Sequence, residues 1–275
     1  MTNLDDIKAW LASGPIIDCA RQLSVEVDLG RPPKSITFAG TNAVVTSTKE
    51  GIWATGGVFR YPASVGSQLE FVFTGEDYSE GTGMQWLRLI AETATGDRIV
   101  EDIRASTAAA VTTTATDITD IIEWYGVSFG SLGHAENAVT MQIEGGGTVL
   151  DTLSAGTDAP HSARLYVPAE HIGVLPWWAT SITATATSTP PADMWLAHDW
   201  DFARGEHRGA AIAVDWQSVT ETGWTTTEPA VPFLVPAGTR IEINGIRAGA
   251  DDAVVKAKAE VLLYSEPEHQ ANQCQ

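Results

Sequence analysis

The stretch ADMWLAHDWDFARGEH, residues 192–207, gathers Asp193, His198, Asp199, Asp201, Glu206 and His207 in one turn-rich segment. Carboxylates so close together suit a hard cation such as calcium, and adding imidazole shifts the preference toward zinc or another transition metal. The spacing matches neither the EF-hand loop nor H-E-x-x-H. Asp199, Asp201 and Glu206 are therefore the candidate ligands of a calcium site, against the competing reading of a solvated loop rim. His207 has a counterpart in His134, which points to imidazoles that bond turn carbonyls. A second set is aromatic. Trp177 and Trp178 are adjacent, so on a strand one faces inward and the other outward. Sugar rings stack on exposed indole faces, and Trp177, Trp178 and Trp200 are the candidate carbohydrate-binding residues, with Trp195 and Trp224 near loops able to extend the surface. The competing role for these tryptophans is as core or subunit-interface anchors.

No catalytic residues are assigned. With 35 acids the chain always offers pairs of carboxylates, yet none stands out as a glycosidase pair. There is no G-x-S-x-G elbow, P-loop or dinucleotide-binding pattern, and Gly145–Gly147 reads as a hairpin loop. The chain is expected to be non-enzymatic.

The elements that would position these residues are strands. Leu4, Ile7, Trp10 and Leu11 form one short N-terminal helical stripe, with Asn3 as N-cap and Asp5 and Asp6 at the positive end of the dipole. From Gln22 onward the apolar period is two, as in Leu23, Val25 and Val27, and Gly, Pro and Asn punctuate it. The threonine-rich stretches AVTTTATDIT and TSITATATSTPP fit strands through their β-branched residues. The phrase SFGSLGHAENAVTMQI from Ser128 is echoed by DFARGEHRGAAIAVDW from Asp201, and LYVPAEHIGV around Pro168 by FLVPAGTRIEI around Pro236. Such a unit is too small to bury its own face, so sheet must pack on sheet. The expected fold is all-β, with jelly-roll-like β-sandwich domains, an internal duplication and one short N-terminal helix. The expected division is a docking arm over 1–20, a first sandwich over 21–105, a duplicated jelly-roll sandwich over 106–265 and a polar tail over 266–275.

The 275 residues carry 16 basic and 35 acidic side chains, a net charge of −19, which argues against binding nucleic-acid phosphates. No apolar run reaches the roughly 18 residues of a membrane span, and the acidic start MTNLDD lacks the basic opening of a signal peptide, so no membrane partner is expected. Cys19 and Cys274 form no disulfide framework and read as free thiols.

The segment VPAGTRIEINGIRAGADDAVVKAKAEVLLY, Val235 to Tyr264, resembles the closing strands of β-sandwich structural proteins of tailed viruses, in which a Pro-Ala-Gly corner leads into alternating strands around a polar hairpin. The resemblance implies a virion component: capsid decoration or cement, turret or tail adhesin. It also implies a homo-oligomer, with a trimer favoured, that docks on other virion proteins such as the major capsid protein. It implies no catalytic residue and no cofactor. The alternative is a carbohydrate-binding module or adhesin for host surface glycans.

Overall fold

The computed structural model describes residues 34–46, 48–169, 171–184, 192–201, 206–220, 223–229, 232–247 and 253–265. The helix expected over Leu4–Leu11, both cysteines and the polar tail lie outside the described residues. Every regular element among the described residues is a strand: β1 (Lys34–Val45), β2 (Glu50–Gly51), β3 (Leu69–Val72), β4 (Met84–Thr93), β5 (Arg98–Arg104), β6 (Val111–Thr112), β7 (Ile118–Phe129), β8 (Val139–Ile143), β9 (Val149–Leu153), β10 (Arg164–Tyr166), β11 (His171–Ala184), β12 (Ala192–Asp201), β13 (Glu206–Val219), β14 (Gly223–Thr227), β15 (Phe233–Val235), β16 (Arg240–Arg247) and β17 (Ala253–Ser265). The protein is all-β.

Two sheets share one core. Their orders are β1-β17-β11-β14, with β15 also on β11, and β10-β16-β12-β13, with β2 also on β16. Pairing is nested: β1 with β17, β10 with β16, β11 with β14 and β12 with β13, all antiparallel. That is one long hairpin rolled up so that β17 also meets β11 and β16 also meets β12. This wrapping is a jelly roll. Alternation explains it locally. On β17, Val255, Ala257, Ala259, Val261 and Leu263 are buried, whereas Lys256 is exposed and Lys258 and Glu260 half-buried. At about 1.5–3 kcal/mol for each large apolar side chain taken out of water, a one-residue slip would turn this whole row to solvent.

Between β2 and β10 the chain builds a second sandwich, of sheets β6-β3-β8-β9 and β5-β4-β7. It has its own core, with Phe71, Leu87, Trp124 and Met141 at its centre. The expected boundary near residue 105 is not a core boundary, because Ile103, Ala105 and Ile118 lie in this one core. Likewise Phe38, Val45 and Ile52 pack with residues from Ala163 to Leu263, so the roll is discontinuous in sequence. Long-range pairing of β1 with β17, which local periodicity does not report, sets this division. The two copies of the sequence echo take different places: β8 pairs β3 and β9 in the second sandwich, while β13 pairs β12 in the roll.

The second sandwich enters within a single strand. β2 and β10 lie along the same edge of β16, with Gly51 opposite Asn244 and Arg164 opposite Glu242. Between them, the Ile52 amide donates to the Ile243 carbonyl at 3.2 Å and the Ile243 amide to the Ala163 carbonyl at 2.8 Å. The Ala163 amide closes the gap by donating to the Ile52 carbonyl at 2.8 Å. Gly40 on β1 packs onto this splice, where a methyl group would stand 1.9 Å from the Ile52 oxygen and 2.4 Å from the Ala163 nitrogen.

Candidate functional site

The outer face of the sheet β1-β17-β11-β14 carries three cross-strand rows, since residues directly opposite share a face. They are Thr37–Glu260–Trp177, Ala39–Lys258–Ala179–Thr226 and Thr41–Lys256–Ser181–Trp224. Alternation sets the two tryptophans on opposite sides, and the register shift on β11 between Val174 and Trp177 goes with Trp177 being the outward one. Trp177 lies half-buried on the outer face, where its Nε1 donates to Glu260 Oε2 at 2.7 Å. Ser35 Oγ donates to the other carboxylate oxygen at 2.5 Å. Ser35 first and Trp177 second hold the Glu260 carboxyl below the usual glutamate range. Lys258 Nζ stands 4.5 Å from the Trp224 ring centroid and 5.6 Å from that of Trp177, within cation–π range of both indoles. Trp224 is 50% exposed. This face can stack an apolar surface on indole while offering ammonium donors to acids.

Trp178 has no place on such a platform. It is fully buried in the roll's core, and its Nε1 donates to Asp215 Oδ2 at 2.8 Å, which satisfies the one polar atom that burial would otherwise strand. Trp224 takes the outward position instead, and its setting in the polar strand GWTTT was the available signal. Trp200 pairs in backbone register with His207, and its side chain lies outside the described residues. On the other sheet, Trp195 is opposite Trp216, which is 63% exposed.

Of the candidate metal ligands, Asp199 is the one whose side chain is described. Asp199 is buried and its Oδ1 accepts the Arg240 amide at 2.8 Å, so it ties β12 to the start of β16. Asp201 and Glu206 are paired in backbone register, with side chains outside the described residues. Among the described residues no three His, Cys, Asp or Glu side chains gather as a metal site would require. His134 Nδ1 lies 2.9 Å from the Ala135 carbonyl, as a turn-bonding imidazole should. The glycines 145–147 form the β8–β9 hairpin loop, where the Glu70 carboxylate accepts the Gly146 amide at 2.8 Å and the Gly145 amide at 3.2 Å.

A polar junction fastens the second sandwich to the outer face of β10 and β16. Arg240 Nε donates to Asp120 Oδ1 at 2.6 Å, and its guanidinium lies 4.4 Å from the Tyr61 ring centroid. Tyr61 donates to Glu242 at 3.2 Å and Tyr166 to Glu92 at 2.7 Å. Burial, with some help from Glu92 and Asp199, raises the Asp120 carboxyl above its ordinary value despite Arg240. Beside it, Arg164 donates to the Arg60 and Leu150 carbonyls at 2.9 and 2.7 Å, and its Nη2 lies 3.2 Å from Asp151. Asp151 also accepts Trp124 Nε1 at 3.1 Å and Ser162 Oγ at 2.5 Å. Of these groups, Tyr61, Asp120, Asp151, Arg164 and Tyr166 line a cleft of about 190 Å³. Each already has a partner, Asp120 in Arg240, Asp151 in Arg164, Tyr61 in Glu242 and Tyr166 in Glu92, which makes the cleft a seam of fastening and leaves the outer sheet face as the candidate for recognition. Sequence reasoning missed the junction because Arg240 and Asp120 lie 120 positions apart.

No family model matches the chain, and no curated protein matches it. Solved structures of infectious bursal disease virus overlap it. The structure of the Gx strain is 8% identical over 86% of this chain and 73% of that one, with a TM-score of 0.25. The VP2 subviral particle is 8% identical over 87% and 74%, with a TM-score of 0.20. Overlaps of this size do not distinguish one β-sandwich from another.

Proposed function

We propose that this chain is a non-enzymatic structural component of a virus particle that acts by homo-oligomerisation and by docking on other virion proteins. The jelly roll carries the proposal: the order β1-β17-β11-β14 against β10-β16-β12-β13 is an architecture that recurs in viral capsid and lectin domains, although cupins share it. The finer reading, a capsid decoration, turret or tail protein of a tailed virus, follows the likeness of Val235–Tyr264 to such strands. Mass photometry of the purified chain at low and high salt tests it. A defined trimer or larger closed ring is expected, and a monomer at every concentration that never binds shells sinks the proposal.

A second reading, an adhesin for host surface glycans, is favoured by one observation: the half-exposed indole of Trp224 beside Lys258. A glycan array without hits, together with unchanged tryptophan fluorescence on titration, removes it.

A further inference from the structure

Charge is segregated between the sheets. The strands β1, β17, β11, β14 and β15 hold Lys34, Lys256 and Lys258, three of the chain's five lysines, against one acid, Glu260, of its 35. The facing sheet, with β2, holds seven acids against four arginines. The first sheet is thus net positive in a chain of charge −19. Its single acid already accepts from Ser35 and Trp177, and among the described residues neither Lys256 nor Lys258 has a carboxylate partner. Around them the exposed residues Thr37, Ala39 and Thr226 are small, and the half-exposed Trp224 stands beside them as an anchor.

We propose that this face, centred on Lys256, Lys258 and Trp224, binds the acidic surface of a second copy of the chain. The proposal rests on the assembly reading above and names its contact. A positive aromatic patch on an otherwise acidic molecule finds complementary potential on its own kind, and opposite potentials speed encounter and fix orientation. Tryptophan is the residue type that most often anchors an interface. The two surfaces that meet are different, so the contact is head-to-tail and closes into a ring where the rotation allows.

The test is light scattering after size exclusion on the wild-type chain, Lys256→Glu/Lys258→Glu and Trp224→Ala, with far-ultraviolet circular dichroism melts to establish that each is folded. The wild type is expected to form an oligomer whose dissociation constant rises with salt, as screening demands. Trp224→Ala should raise that constant by at least about tenfold, and the double lysine variant should run as a monomer. Mixed in excess with the wild type, the double variant should shrink the assemblies, because it keeps the acidic surface and lacks only the patch. Folded variants that assemble like the wild type overturn this contact and leave the assembly reading standing. A monomeric wild type at all concentrations overturns both. If that monomer's tryptophan fluorescence is quenched by polygalacturonate, and the response is lost in Trp224→Ala, the face is a glycan site and the proposal fails.

Discussion

The amide of Ala163 donates to the carbonyl of Ile52 at 2.8 Å, so residues 111 positions apart sit as neighbours in one strand course. Everything between them, the whole second sandwich, leaves the roll and returns through that single point. Gly40 is the residue that makes room for it, and its backbone neighbours cannot swing aside as a side-chain end would. Gly40→Ala is expected to destabilise the chain by about 3 kcal/mol or more, at the upper end of overpacking penalties. Urea denaturation reads this as a fall in midpoint, and an unchanged midpoint would mean that the splice is looser than its geometry.

The arginine–aspartate pairs Arg240–Asp120 and Arg88–Asp102 should separate by burial. Arg240 and Asp120 are 20% and 12% exposed at their side chains, and Arg88 and Asp102 are 37% and 46%. Arg240→Ala strands a buried carboxylate and should lower stability by about 3 kcal/mol. Arg88→Ala, whose partner water can solvate, should leave the thermal midpoint nearly where it is. Melting curves of the two variants beside the wild type decide, and equal losses would contradict the burial argument.

Two tryptophans of one sheet, Trp178 and Trp224, give a sharper contrast. Trp178→Ala opens a cavity in the roll and leaves Asp215 without its indole donor, for a loss of about 3–5 kcal/mol. Trp224→Ala removes an exposed ring and should change the denaturation midpoint little. A stability loss in Trp224→Ala comparable to that of Trp178→Ala would show that Trp224 is packed and not presented.

Acid should loosen the hairpin that Glu70 holds. The Gln142 side chain first, and then the Gly146 and Gly145 amides, hold its carboxyl below the ordinary glutamate value against the opposing effect of burial. A folded-state value below the unfolded one means that the contribution is whole above the unfolded value and is lost as pH falls through the folded one. Stability of the wild type should therefore fall below the ordinary glutamate range more steeply than that of Glu70→Gln. Parallel curves of stability against pH would show that Glu70 is not so held.

What the sequence reveals is which way side chains face, and what it conceals is which strands meet. Period two predicted strands throughout and one inward and one outward tryptophan at 177 and 178, because alternation is a property of the single strand. It could not say which of the two was outside, since the register shift after Val174 is fixed by pairing with β17. The glycine hairpin and the turn-bonding His134 were legible for the same local reason. The splice, the Arg240–Asp120 fastening and the lysine-bearing sheet depend on partners more than a hundred residues apart, and no periodicity carries that information. The metal reading drew on proximity along the chain, whereas the Asp199 carboxylate accepts the Arg240 amide, a partner 41 positions away that no local pattern announces.

The opening between Ile52 and Ala163 also makes the roll a socket. Chain ends held within one hydrogen bond can deliver any module whose own termini converge, with no strand lengthened and no pairing of the nested hairpin disturbed. Frame and cargo are thereby free to change at different rates: the frame bound by its closure, the cargo answerable only to the few residues that seat it.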